Sequence, residues 1–134
     1  MNEQALVWFK TVFAVLGTAI STALGGWDLA LKVLVVFVIL DYATGVTAAW
    51  FERKLNSDIG LKGIAKKILL FVPVALGYYL DQVLGQQVFR NLAIFFYLAN
   101  EGLSIIENLS RCGIPVPDAL KNALGQLSQE KQEQ

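Results

Sequence analysis

From Leu29 to Phe51 the chain runs 23 residues with only two charged side chains, Lys32 and Asp41. A helix of that length spans about 34 Å at ~1.5 Å per residue, enough to cross the ~30 Å hydrocarbon layer of a bilayer. In that layer no water satisfies backbone N–H and C=O groups, so a spanning segment must satisfy its own as a helix. Three further apolar segments follow the same rule less strongly. Ala5 to Leu24 is broken among charged residues only by Lys10; Ile64 to Leu84 has a charge-free stretch only from Ile68 to Leu80; Val88 to Ile106 contains Glu101. With 55% hydrophobic and 16% charged residues and a mean hydropathy of +0.52, the chain reads as an all-α membrane protein. About four transmembrane helices are expected, or three if the first segment lies in the interface, and a short amphipathic cytoplasmic C-terminal helix follows them.

The division expected is a multi-span membrane domain over residues 1–111, then a cytoplasmic amphipathic helix and disordered tail over 112–134. In the second part, "GIPVPDALKNALGQL" opens with prolines that stop the last membrane helix, and Leu120, Ala123, Leu124 and Leu127 fall at helical spacing. "SQEKQEQ" is polar enough to be disordered. The first segment is expected to be kept rather than cleaved as a signal peptide, because Glu3 precedes any basic residue.

Charge sets the orientation. Of the 11 basic residues, eight lie in the connection from Glu52 to Lys67 or after the last span: Arg53, Lys54, Lys62, Lys66, Lys67, Arg111, Lys121 and Lys131. Positive-inside topology makes the central loop and C-terminus cytoplasmic. Arg53, Lys54, Lys62, Lys66 and Lys67 are then membrane-surface bases, with Lys66 and Lys67 snorkelling at the start of the third span. The 11 acidic residues cancel the basic ones, so no net field favours nucleic acid. Histidine is absent, and the single cysteine, Cys112, closes no intrachain disulfide. No catalytic residue, metal ligand or cofactor is expected, and the chain reads as no enzyme.

The informative residues are polar groups inside apolar segments. An aspartate at a helix centre adds about 2.5–3.5 kcal/mol to insertion, so Asp41 must face protein or water. It serves either as helix-to-helix glue or as part of a wet assembly. In the fourth segment Asn100, Glu101, Ser104, Glu107, Asn108 and Arg111 share one helical face. Asp41, Asn100, Glu101, Ser104, Glu107 and Asn108 are therefore candidates to line a wet lumen or to be buried polar residues, with Asp41 and Glu101 at similar depth in one seam. A flat surface helix satisfies the same pattern. Gly17, Ser21 and Gly25, and Gly45 and Ala49 beyond Asp41, recur at four-residue spacing and are candidates for close helix packing, within one chain or between copies.

"DYATGVTAAW", "IGLKGIAKK" and "FFYLANEGLSIIENLSRCGIPVPDALKNAL" together resemble, in order and spacing, the motifs of a bacteriophage holin family that also includes holin-like proteins of clostridial toxin gene clusters. The resemblance runs from about Asp41 to Leu127. Asp41, Thr44 and Gly45 match the first motif; Gly60, Gly63, Lys66 and Lys67 the second; Asn100, Glu101, Gly102, Glu107, Asn108, Pro115 and Pro117 the third. It implies a non-enzymatic, multi-pass homo-oligomer of the host bacterial cytoplasmic membrane, whose lesions release an endolysin for timed host lysis, or a toxin for secretion. Its partners would be itself, membrane lipids and that cargo. Met1 is the only methionine, so an inhibitor begun inside the gene would need a different start codon. Two other classes fit the same residues: a small ion channel or transporter component of fixed stoichiometry using Asp41 and Glu101, and a membrane scaffold that binds through its basic loop and tail.

Overall fold

The computed structural model describes residues 1–133, with side chains to Leu127. Its described residues form helices and no strands: α1 (Glu3–Ala23), α2 (Leu29–Phe51), α3 (Ser57–Leu69), α4 (Phe71–Leu84), α5 (Phe89–Arg111) and α6 (Asp118–Glu133). The starts follow from local chemistry. Asn2, Asp28 and Asn56 each accept a backbone N–H of the first turn of α1, α2 and α3. The turn between α1 and α2 uses Gly25 and Gly26 at positive φ, and α4 ends on a left-handed Gly85. Gly113, also at positive φ, ends α5 ahead of the two prolines expected to stop it, and the Ile114 N–H closes back on the Leu109 carbonyl at 2.9 Å.

Two helices, α1 and α2, are long and apolar enough to cross a membrane; the four spans expected are not all of this kind. The third segment, read as one span from Ile64 to Leu84, is broken at Leu70. Pro73 supplies no N–H to the Leu69 carbonyl and its ring crowds that turn, which accounts for the break. The 14 residues of α4 then cover only about 21 Å. α5 has the length at 23 residues, but its polar face lowers its hydropathy.

α2 and α5 pack side by side and run parallel, because Asp28 pairs with Arg90 at their starts, Asp41 meets Asn108 further along, and Glu52 pairs with Arg111 at their ends. α4 is the antiparallel return between them. The core is apolar and sits toward the starts of α2 and α5: Leu24, Leu31, Leu34, Val38, Val74, Ile94 and Leu98. Gly77 permits the tightest approach, since a Cβ there would lie 2.7 Å from the Phe89 carbonyl oxygen. α6 folds back along α5 and seats Leu124 against Gly102. Its backbone continues to Glu133, through the stretch from Ser128 read as a disordered tail, whose side chains lie outside the described residues.

α1 stands apart. It has no buried residue, and side chains such as Trp8 (71% exposed) and Phe13 (69%) are largely uncovered. Gly17 has nothing within 4 Å, so the expected small-residue face of α1 is unused within one copy. Gly25 does not continue that face. It lies beyond the end of α1, with Arg90 and Tyr78 so near that a Cβ would meet both at 2.6 Å.

Because backbone cannot yield as a side chain can, Gly77→Ala should force α4 and α5 apart and cost about 1–3 kcal/mol, lowering the thermal unfolding midpoint in detergent. Gly17→Ala, with open space around it, should show no such loss.

Candidate functional site

Halfway along α2 the carboxylate of Asp41 is only 6% exposed, and α5 brings Glu101, also 6% exposed, to the same level. Between them comes Lys67, from the last turn of α3. Its ammonium donates to Asp41 Oδ2 and to Glu101 Oε1 and Oε2, the latter two at 2.9 and 2.6 Å. Asn108, two turns beyond Glu101 and one beyond Ser104, donates through Nδ2 to the Asp41 carbonyl (3.1 Å), Asp41 Oδ1 (2.9 Å) and Thr44 Oγ1 (3.0 Å). The contacts continue to the helix ends: Arg111 donates to Asn108 Oδ1 at 3.3 Å and forks onto Glu52 at 2.7 and 3.2 Å. Among the described residues no buried side-chain N or O lacks a hydrogen-bond partner. Two carboxylates thus share one ammonium, and hydrogen bonds from within the chain satisfy the group.

Small residues make room for it. Gly60 and Gly63 let α3 lie against the Tyr42 ring, whose hydroxyl donates to the Gly60 carbonyl at 3.2 Å. Gly45 leaves space for the Asn108 amide, 3.4 Å from where its Cβ would be. A cavity of about 250 Å³ reaches Asp41, Lys67, Ser104 and Asn108 from the α2–α3 connection, where Lys54 and Asn56 line it, and Ala49 lies on its wall.

The sequence expectation brought Asp41, Glu101, Ser104 and Asn108 to one seam, and the structure joins them. It leaves Asn100 and Glu107 exposed, so the polar face of α5 divides into a half spent inside the chain and a half turned outward. Arg53, Lys54, Lys62 and Lys66 are exposed, as surface bases should be. Lys67 is not. It turns inward, with its side chain 23% exposed, because two buried carboxylates offer more than the interface does. The signal was its register: Lys67 shares a face of α3 with Gly60 and Gly63, while Lys66 does not.

A second polar group, unforeseen from the sequence, ties the opposite ends together. Asp81 of α4 accepts the N–H groups of Val88, Phe89 and Arg90 at 3.1, 2.8 and 3.0 Å, capping α5 from a neighbouring helix. Arg90 then forks onto Asp28 at 2.7 and 3.1 Å and donates to the Leu24 and Gly26 carbonyls. Asp28, placed just before an apolar run, carried an N-cap signal, but nothing in the sequence marked its partner. The Arg90 hydrogen bonds hold the Asp28 carboxyl below its ordinary value. A carboxyl lowered on folding stabilises the fold above its unfolded pKa, near 4, and that contribution disappears as pH falls through the lowered value. Thermal unfolding in detergent between about pH 6 and pH 3 should therefore show an acid-side loss that is smaller in Asp28→Asn.

The bacteriophage holin family matches residues 18–129, a range that contains every member of the Asp41–Lys67–Glu101 group. The "Uncharacterized 14.9 kDa protein in nagH 3′ region" of Clostridium perfringens is 42% identical over 131 residues, covering 96% of this chain and 99% of its own. A Listeria monocytogenes protein, Lmo0128, is 46% identical over 101 residues, covering 75% of this chain and 72% of its own. The "Probable holin" of Bacillus phage phi105 is 35% identical over 95 residues, covering 70% of each. No solved structure matches the chain. With its apolar helices α1 and α2 and this match over most of its length, the chain is a membrane protein belonging to the bacteriophage holin family.

Proposed function

We propose that the protein is a holin that self-associates in the host bacterial cytoplasmic membrane and opens lesions through which an endolysin, or a secreted toxin, passes. The family match over residues 18–129 carries this reading. The structure adds a physical division of labour that supports it. The α2–α5 unit satisfies its own buried charges, so a single copy is tolerable to lipid, while α1 carries a largely apolar surface with a small-residue stripe and no buried residue. Copies gathering through α1 follow mass action in two dimensions.

Parallel α2 and α5 with α4 returning between them favour crossing by all three, with the Glu52–Lys67 connection and the chain from Cys112 on the cytoplasmic side. Seven of 11 basic residues then lie there, with Arg111 at the adjoining end of α5. The charge-free stretch of α4 begins at Ile68, directly after Lys67, so the shared-lysine group lies at the cytoplasmic edge of the apolar layer rather than at its centre. A lesion wall forms when α5 turns the Glu101–Ser104–Asn108 face from its own α2 and α3 toward water. Separating these charges in lipid is expensive, so the change is favoured only where enough copies assemble to admit water around them. Conversion is then abrupt and depends on copy number.

Cysteine accessibility tests this in a Cys112→Ser background. Ser104→Cys faces the charged group and Leu103→Cys faces outward. In intact cells before lysis, a small water-soluble thiol reagent should label neither quickly; after onset, position 104 should react at least ten-fold faster than 103. Equal labelling after onset contradicts a lesion wall built from this face. Release of a co-expressed endolysin separates the reading from a selective channel, which passes no folded protein.

A further inference from the structure

The connection between α2 and α4 is long, basic and folded as a helix of its own. Around α3, where successive residues advance by about 100°, three faces separate. Gly60, Gly63 and Lys67 form the face against Tyr42 and the buried carboxylates. Leu61, Ile64 and Ile68 form a second face, 67%, 42% and 65% exposed, and Ile64 and Ile68 continue into an apolar groove with Phe71 and Val72 of α4. Lys62 and Lys66 project roughly opposite this apolar face, both exposed. Ile59 and Leu69 flank the lysines, whose long stems carry the charges past them.

An apolar face pointing the way α4 descends, with lysines on the other side, is the disposition of a helix lying in a membrane interface. Arg53 and Lys54, both exposed, add to the same basic end, beside the exposed Trp50 and Phe51 rings. Lys62 pairs with Asp58 at 3.2 Å, but both side chains are 73% exposed, and such a pair in water competes weakly. From this charge complementarity and the apolar face together we infer that α3 is an interfacial helix, not the start of a span, and that Lys62 and Lys66 bind anionic phospholipid headgroups of the cytoplasmic leaflet. The lipid thereby holds α3 at the depth where Lys67 reaches Asp41 and Glu101. The inference rests on the orientation proposed above and not on lesion formation.

The test uses the purified full chain in phosphatidylcholine mixed micelles, with phosphatidylglycerol titrated in and the thermal unfolding midpoint followed. The midpoint should rise to a plateau, less so in high salt. Each lysine near an anionic surface contributes about five-fold in affinity, so Lys62→Gln/Lys66→Gln should need roughly 25-fold more phosphatidylglycerol for half the rise. Lys62→Arg/Lys66→Arg should behave as the parent, and all three proteins should unfold alike in phosphatidylcholine alone. No rise in the parent, or an unchanged titration in the Gln variant, would overturn the inference. Because the readout is binding by purified protein, it is independent of whether lysis occurs in cells.

Discussion

A charge buried between helices must find a counter-charge, and here one lysine serves two carboxylates. Neither Asp41 nor Glu101 could remain buried alone without a penalty of several kcal/mol. Their need for Lys67 fixes where α3 lies, and thereby where α4 begins its return. The glycines follow from the same demand. Gly60 and Gly63 let α3 come close enough for Lys67 to reach, and Gly45 clears the space from which Asn108 holds the rest of Asp41. Arg111–Glu52 at one end and Arg90–Asp28 at the other keep α2 and α5 parallel and in register about this point.

The closed unit and the solitary α1 divide the molecule into a part that is finished and a part that is not. The finished part pairs its buried charges within one copy. The unfinished part exposes apolar surface on every side and depends on lipid or other copies. The proposed function draws on both properties: satisfied polar groups to delay opening, and an association surface to make opening collective.

Much of this was legible in residue spacing. The apolar lengths marked α1 and α2, and the shared face of Glu101, Ser104 and Asn108 marked a seam that Asp41 joins. Lys67 was misplaced because its neighbours Lys66 and Lys62 are ordinary surface lysines, and composition does not distinguish a base that snorkels from one that turns inward; the register of Gly60 and Gly63 does. The break at Leu70 was hidden by hydrophobicity that continues across it, although Pro73 announced it. Asp81 and Arg90 were missed since capping from a neighbouring helix leaves no local pattern, and Asn100 and Glu107 shared a helical face with Glu101 without sharing its partners.

The central claim is that Asp41, Glu101 and Lys67 hold α2, α3 and α5 together as one group. Thermal unfolding of the detergent-solubilised chain tests it directly, by comparing Lys67→Met with the triple change Lys67→Met/Asp41→Asn/Glu101→Gln. Removing the ammonium alone strands two buried carboxylates and should cost about 3–5 kcal/mol, whereas neutralising all three together should restore most of that loss. A Lys67→Met protein as stable as the parent, or a triple variant no better than Lys67→Met, would contradict the account.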